Sequence, residues 1–133
     1  MNESEVLKEF NLDYCTFKLM SNGIVISEFT PDIHLELSHI KEMLAIGNKI
    51  YEIIHKKYAV CTIIPEGLTA TKEAREFGTT KEANQCIKAS AIIVNSLPHR
   101  IIGNFIVKVQ KSIVPHKIFN SKEDAFAWLS SIA

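Results

Sequence analysis

YAVCTIIP at residues 58–65 and KASAIIVN at residues 88–95 are the two stretches that decide the fold. Both are short, nearly continuous apolar runs rich in β-branched residues, a pattern typical of parallel strands that helices cover on both faces. Parallel strands cannot be joined by a tight turn, so the intervening segment should contain helix. We therefore predict two inner strands, side by side, whose following segments meet at one rim of the sheet.

A hairpin is predicted before these strands. Asn22 and Gly23 separate two β-rich runs, and this dipeptide is a strong hairpin signal because its turn requires positive φ. Residues 13–20 and 24–29 should therefore pair antiparallel. One face of the first strand then carries Cys15, Phe17 and Leu19.

Helices are predicted between and after the strands. Apolar residues at helical spacing predict a helix over 39–54, with Ser38 as its N-cap. Two short helices are expected at 71–77 and 81–87. Gly78 should end the first of these, and the capping box Thr79-x-x-Glu82 should begin the second.

The C-terminal third contains one ambiguous segment. NSLPHRIIGNFIVKVQKSIVP, residues 95–115, fits one face of a helix over 99–109 and also alternates like a strand; the NSLP start favours the helix. HKIF at 116–119 is a predicted short strand. The capping box Ser121-x-x-Asp124 then begins a last helix, with Ala125, Trp128, Leu129 and Ile132 at helical spacing.

This order of elements predicts a single α/β domain over residues 1–133. The sheet should be mixed and mostly parallel, with an N-terminal antiparallel hairpin and about four to five helices. Residues 1–11 are expected to form a loosely ordered segment.

Composition excludes several classes of function. Apolar residues make up 47% of the chain and charged residues 23%, as in ordinary globular proteins. Fifteen basic residues balance fifteen acidic ones, and only Arg75 and Arg100 are arginines, so a nucleic-acid binder is not expected. Without a secretory-signal pattern or a long apolar run, we expect a cytoplasmic protein that does not insert into membranes. Cys15, Cys61 and Cys86 fit reduced thiols.

Catalytic, metal and cofactor motifs are missing from the sequence. The five histidines show no HExxH spacing and no cysteine at zinc-finger spacing, so no metal site is predicted. No nucleophile elbow, phosphate loop or dinucleotide fingerprint is present either. We therefore expect neither a cofactor nor an enzymatic activity.

Three segments carry a resemblance to a known family: TKEAREFG after the first inner strand, AIIVNSLPHRIIGNF at the second, and VPHKIFNSKEDAFAWL at the end. With the element order, they resemble the STAS superfamily in its SpoIIAA-like branch, the anti-sigma factor antagonist-like domains related to STAS and Sec14. The resemblance implies a non-catalytic module that binds a protein partner and, in some relatives, nucleotides or apolar small molecules. Its phosphoserine motif, Asp-Ser-x-Gly, has no counterpart in IIPEGLTATKEA.

The first candidate site is a partner-binding surface at the rim that follows the inner strands. Its predicted members are Thr69, Thr71, Glu73, Arg75, Glu76, Arg100 and Asn104. Thr69 and Thr71 are also candidate phosphorylation sites, since a phosphate near a helix N-terminus is stabilised. The alternatives are that a threonine caps the helix and that the arginines form ordinary surface ion pairs.

The second candidate site is an apolar pocket between the sheet and the helices at 39–54 and 99–109. Its predicted members are Ile40, Leu44, Ile102, Phe105 and Ile106. The helix over 99–109 carries more apolar positions than one buried face requires, which favours core packing, a lipid-like ligand or a second copy of the chain. The sequence thus favours two functions: a protein-interaction module with an unknown partner, and a binder or sensor of an apolar small molecule. An uncharacterised enzyme is the weakest alternative, because no assembled acid, base and nucleophile can be read from the spacing.

Overall fold

The computed structural model describes residues 5–94 and 114–132. The main sheet consists of β1 (Val6–Asn11), β2 (Cys15–Met20), β3 (Ile24–Phe29), β5 (Tyr58–Ile64), β7 (Ile87–Val94) and β8 (His116–Phe119). Two short strands, β4 (His34–Leu35) and β6 (Thr69–Ala70), form a separate parallel pair. The helices in these ranges are α1 (Leu37–Ile54), α2 (Lys72–Gly78) and α3 (Lys122–Ile132).

The main sheet is mixed, in the order β1-β2-β3-β5-β7-β8. Strands β1, β2 and β3 pair antiparallel, whereas β3, β5, β7 and β8 run parallel to one another. Strands β5 and β7 are adjacent, with Ala59 opposite Ala89 and Ile64 opposite Val94. The two inner strands predicted from YAVCTIIP and KASAIIVN are therefore confirmed, and their carboxyl ends lie at the same edge.

The predicted hairpin is confirmed, but its turn has three residues. Leu19 pairs with Val25, which leaves Ser21, Asn22 and Gly23 as the loop. The Gly23 N–H donates to the Met20 carbonyl at 3.0 Å. Gly23 has φ of 86°, whereas Asn22 does not adopt positive φ. The turn therefore uses one left-handed residue, as three-residue hairpin loops do, and not two.

Helices cover both faces of the main sheet. On one face, α1 packs over a core that includes Phe17, Leu19 and Val25, with Ile50 of the helix fully buried. On the other face, α3 packs on a second core in which Ala125 and Leu129 are buried. The sheet residues under α3 include Ala59, Cys61, Ala89 and Ala91. These small side chains allow α3 to approach the sheet backbone closely.

Helix α1 begins two residues earlier than predicted. Its N-cap is Glu36, in extended conformation, and not Ser38, which lies inside the first turn. The Nδ1 atom of His39 accepts a hydrogen bond from the Glu36 N–H at 2.8 Å. His39 thus accepts the backbone N–H that a glutamate accepts in the usual capping box. Because histidine is not a common residue at this position, the sequence did not indicate that α1 begins at Leu37.

The helix predicted over 81–87 is wrong, as is its capping box at Thr79 and Glu82. Residues 81–86 form turns, and β7 already begins at Ile87. The Thr79 hydroxyl donates back to the Glu76 carbonyl at 2.8 Å instead of capping a new helix. The Asn84 side chain donates to the carbonyls of Gly78 and Thr80, both at 2.9 Å. These bonds fold the chain back on the end of α2.

Two strand features were not predicted. Residues 6–11 form the edge strand β1, so most of the segment expected to be loosely ordered at 1–11 pairs with β2. The small β4–β6 pair was also missed. Within the described ranges there are three helices, against the four to five predicted, and the predicted helix over 99–109 lies outside those ranges.

Candidate functional site

A cavity of about 270 Å³ lies between α1 and the sheet face that α1 covers. Helix α1 contributes Ile40, Met43, Leu44 and Gly47 to its wall. The opposite wall is mostly apolar and includes Phe17, Val25, Val60, Ile64 and Ile92 of the sheet. The volume lies just below the range of about 300–1,000 Å³ typical of small-molecule sites, so the cavity suits a compact ligand.

Four polar side chains lie on the sheet wall of the cavity as two cross-strand pairs, which are offset by two residues because Ser90 is opposite Val60. They are Ser27 of β3, Thr62 of β5, Ser90 of β7 and His116 of β8. Ser27 and Thr62 are directly opposite each other, and the Ser27 hydroxyl donates to Thr62 Oγ1 at 3.0 Å. Ser90 and His116 are opposite each other across β7 and β8. We call these four residues the polar row. The polar row places hydrogen-bonding groups in a mostly apolar wall.

His116 is the unusual member of the polar row. Its Nδ1 atom is shielded from solvent and has no hydrogen-bond partner among the described residues. Burial lowers the pKa of the His116 imidazole below its ordinary value of 6.5, because the charged form loses hydration. The ring is therefore neutral near pH 7. A shielded and unpaired polar atom costs about 1–3 kcal/mol, which a ligand or water that reaches it would recover.

Charge is missing from the part of the cavity wall that the structure describes. The described lining residues include no lysine, arginine, aspartate or glutamate. Ser27 and Ser90 are only 2% and 7% exposed, whereas Thr62 and His116 are half-buried. An ionised group of a ligand would lose its hydration here without gaining an opposite charge from these residues. The arrangement therefore favours hydrogen bonding over ion pairing.

Ser90 and His116 do not form a catalytic dyad. They are neighbours across two strands, but no hydrogen bond joins their side chains, and Nδ1 of His116 has no partner in the described ranges. A serine nucleophile needs a base within hydrogen-bond reach and a third group that orients that base. The pair therefore gives no support for acyl-transfer chemistry.

The predicted partner-binding surface lies around β6 and α2, and its described members are close together in the chain and in space. Thr69, Glu73, Arg75 and Glu76 are exposed. Thr71 is half-buried, and its Oγ1 accepts the Ala74 N–H at 3.1 Å as the N-cap of α2. Thr69 Oγ1 lies 2.7 Å from Nδ1 of His34. The Thr71 hydroxyl is therefore used to cap α2, and the Thr69 hydroxyl is used in the contact with His34 of β4.

Part of each predicted site lies beyond the described residues. Arg100 and Asn104 of the partner surface do, and so do Ile102, Phe105 and Ile106 of the apolar pocket. The other two predicted pocket residues, Ile40 and Leu44, both line the cavity. The two predicted residues of α1 thus face a wall of sheet residues that the sequence analysis did not name.

Sequence reasoning missed the polar row entirely. Thr62 and Ser90 each place a hydroxyl within an otherwise apolar strand sequence. These polar residues are the one feature of the two strand sequences that could have indicated the polar row. Whether two such residues share a face depends on strand register, which the sequence did not fix. His116 begins β8 and its sequence position carries no sign that it faces a cavity.

The cysteines are buried thiols and not part of a reactive site. Burial raises the pKa of Cys15 to about 12 and that of Cys61 to about 11. The pKa of Cys86 is also raised by burial, and its Sγ lies 3.3 Å from Asn48 Oδ1. All three are free. A thiol with a raised pKa is a poor nucleophile, so these residues behave as core.

Metal-binding clusters and membrane-spanning helices are absent from residues 5–94 and 114–132. Within these ranges, no group of three or more histidine, cysteine, aspartate or glutamate side chains is placed to hold a metal ion. None of the helices described there is both long and apolar enough to cross a membrane.

The sheet order, the parallel inner strands and the helices on both faces define an α/β domain with a mixed sheet. A crystal structure of an uncharacterised protein of the DUF3478 family from Shewanella loihica PV-4, described as having a SpoIIAA-like fold, is similar over 97% of both chains. The TM-score is 0.58 and the sequence identity 13%, so the likeness concerns the fold. The predicted SpoIIAA-like fold is thereby confirmed.

Residues 17–133 match the family described as domain of unknown function DUF7793, and the chain belongs to that family. No curated protein matches it in sequence.

Proposed function

We propose that this protein is a non-enzymatic, cytoplasmic regulatory module that binds a small, mainly apolar molecule in the cavity beneath α1. The observation that carries the proposal is the cavity itself, about 270 Å³ in volume and lined by apolar side chains around the polar row. A concave and mostly apolar site with a few convergent polar groups is the usual form of a small-molecule site. One of those groups, His116, also has a pKa shifted by burial.

Helix α1 offers a ligand an adaptable apolar wall and also contacts a second helix at the surface. Met43 and Leu44 line the cavity from the helix, and an unbranched methionine adapts to ligands of different shape. Helix α1 also packs against α2, whose outer face carries the exposed residues Glu73, Arg75 and Glu76. A ligand that displaces α1 slightly would therefore also move α2, and this contact connects a bound ligand to the exposed surface of α2.

The fluorescent probe N-phenyl-1-naphthylamine tests this proposal, since it is neutral, apolar and brighter away from water. We expect saturable binding to the wild type. Leu44→Trp fills the cavity from α1 and should weaken binding about tenfold or more, a change of about 1.4 kcal/mol or more. Ala45→Trp adds the same side chain at an adjacent exposed position and should leave affinity unchanged. Equal affinities for the two variants would place the probe elsewhere and contradict the proposal.

A second candidate function is docking of a protein partner on the surface around α2. It is favoured by the exposure of Thr69, Glu73, Arg75 and Glu76 on one short helix and the strand before it. Arg75 is the cationic member of this group and would orient an acidic partner.

Charge reversal tests this second function. Arg75→Glu should remove specific bands from a cell-extract pull-down, whereas Lys56→Glu, an exposed change just after α1, should leave the same bands in place. Identical band patterns for the wild type and both variants would show that the α2 surface does not select a partner.

A further inference from the structure

The polar row marks one wall of the cavity as the place where a ligand's polar group binds. Ser27, Thr62, Ser90 and His116 come from four neighbouring parallel strands and line the same space. The α1 wall opposite offers Ile40, Met43 and Leu44. A ligand in this cavity therefore meets hydrogen-bonding groups on one side and hydrocarbon on the other.

His116 has hydrogen-bonding capacity that the described residues leave unused. The Nδ1 atom has neither a protein partner in those residues nor solvent to replace it. In its neutral form with the proton on Nε2, the imidazole presents Nδ1 as an acceptor. A ligand hydroxyl that reached this atom after a small rotation of the ring would satisfy it. The same hydroxyl oxygen can accept a bond from a serine or threonine of the row.

The charge of the wall restricts the ligand further. None of the described lining residues is charged, and Ser27 and Ser90 are 2% and 7% exposed. A carboxylate or phosphate placed against this wall would lose water without a cationic partner from these residues. A neutral hydroxyl avoids that cost and still pairs with the row.

We infer that the ligand of this cavity is a neutral, mainly apolar molecule that carries a hydroxyl group, an alcohol or a phenol, with the hydroxyl placed at the polar row beside His116. The inference rests on the proposed function, since it names the chemical class of the molecule that the same cavity binds.

Three probes of matched size separate the chemical classes: naphthalene, 2-naphthol and 2-naphthoate, which at pH 7 are apolar, neutral with a hydroxyl, and anionic. Dissociation constants come from NMR titration of the ¹⁵N-labelled protein, followed at the amides of cavity residues. We expect 2-naphthol to bind roughly three- to tenfold more tightly than naphthalene, the gain from one net hydrogen bond. The anion 2-naphthoate should bind most weakly.

The outcomes distinguish the inferred class of ligand from the proposed function of binding a small molecule in the cavity. If none of the three probes perturbs the cavity amides, both the ligand class and the binding function are contradicted. If naphthalene or 2-naphthoate binds as tightly as 2-naphthol, the cavity binds ligands but the inferred class is wrong.

Variants of His116 test the position of the hydroxyl. His116→Phe should lose the preference for 2-naphthol over naphthalene, measured as the ratio of the two dissociation constants in the same variant. His116→Gln keeps a hydrogen-bonding group and should retain most of that preference, and it provides a second variant if the phenylalanine protein does not fold. His34→Phe changes an exposed histidine and serves as the control. An undiminished preference in a folded His116→Phe protein would overturn the role of His116.

Discussion

A β-carbon added to Gly47 would lie 2.7 Å from the hydroxyl oxygen of Tyr58. Gly47 is buried in α1, Tyr58 begins β5, and both line the cavity. Glycine at this position lets the helix meet the tyrosine without displacing it. The pair therefore fixes how closely α1 approaches the sheet at one end of the cavity.

Gly47→Ala should destabilise the protein in spite of the better helix propensity of alanine. Propensity favours alanine by about 1 kcal/mol, but overpacking against a Tyr58 side chain that is 4% exposed costs about 1–3 kcal/mol. The free energy of unfolding, measured by denaturant titration, should fall by up to about 2 kcal/mol.

The matched background for this change is Tyr58→Phe, which removes the hydroxyl that the new methyl group meets. In that background Gly47→Ala should raise stability by about 1 kcal/mol, the propensity gain alone. The same effect of Gly47→Ala in both backgrounds would show that the two residues do not set the helix position.

Thr62→Val should destabilise the protein through Ser27. The Ser27 hydroxyl donates to Thr62 Oγ1 at 3.0 Å and is nearly inaccessible to water. Valine keeps the shape of threonine and removes the acceptor, so the buried hydroxyl is left without its partner at a cost of about 1–3 kcal/mol.

The double variant Ser27→Ala with Thr62→Val is the control for this bond. It removes both partners and should cost less than the sum of the single changes, because no orphaned hydroxyl remains at Ser27. If the loss of stability in the double variant equals the sum of the two single losses, the hydrogen bond between Ser27 and Thr62 does not contribute to stability.

Thr71→Ala should cost about 1 kcal/mol of stability, because it removes the side chain that caps α2. Thr71→Ser keeps the hydroxyl and should restore most of the loss. Thr69→Ala, two residues earlier on the exposed surface, is the comparison for a threonine that does not cap a helix, and it should have the smaller effect. If Thr69→Ala proves more costly than Thr71→Ala in chemical denaturation, the capping assignment is wrong.

Stability should decrease on acidification partly through His116. Burial holds the folded-state pKa of this imidazole below 6.5, so the unfolded chain binds a proton more readily than the folded one. The contribution is fully present above pH 6.5 and is lost as pH falls toward the lower folded-state pKa.

His116→Phe isolates this effect, since phenylalanine does not titrate. Between pH 7 and pH 5 the free energy of unfolding should fall less in the variant than in the wild type. Parallel curves over that interval would mean that His116 has the same pKa in the folded and unfolded states.

The central fold could be predicted because its signals are local and strong. The apolar runs at 58–65 and 88–95 match β5 and β7 within one residue at each end, and both flank a segment long enough for a crossover. Other elements depend on contacts that a sequence pattern does not contain. The turn at 81–86 is set by Asn84, which bonds to two carbonyls of the preceding segment. Strand β1 is mostly exposed, so it has no alternation of apolar and polar residues to reveal it.

The candidate site could be predicted only on its helical side. Ile40 and Leu44 follow from the apolar stripe of α1, because helical spacing assigns residues to a face without knowledge of the sheet. The polar row requires the register of four strands, and one residue of slip would turn Thr62 or Ser90 to the opposite face. That register comes from long-range pairing and not from any single strand.

The most direct measurement of the binding function is an NMR experiment that detects nuclear Overhauser contacts between 2-naphthol and methyl-labelled protein. The account predicts cross-peaks from the ligand to the methyl groups of Leu44 and Ile92, on opposite walls of the cavity. It predicts none to Ile53, which is 48% exposed on the same helix. Cross-peaks to Ile53 without any to Leu44 or Ile92 would place the ligand on the surface and contradict the account.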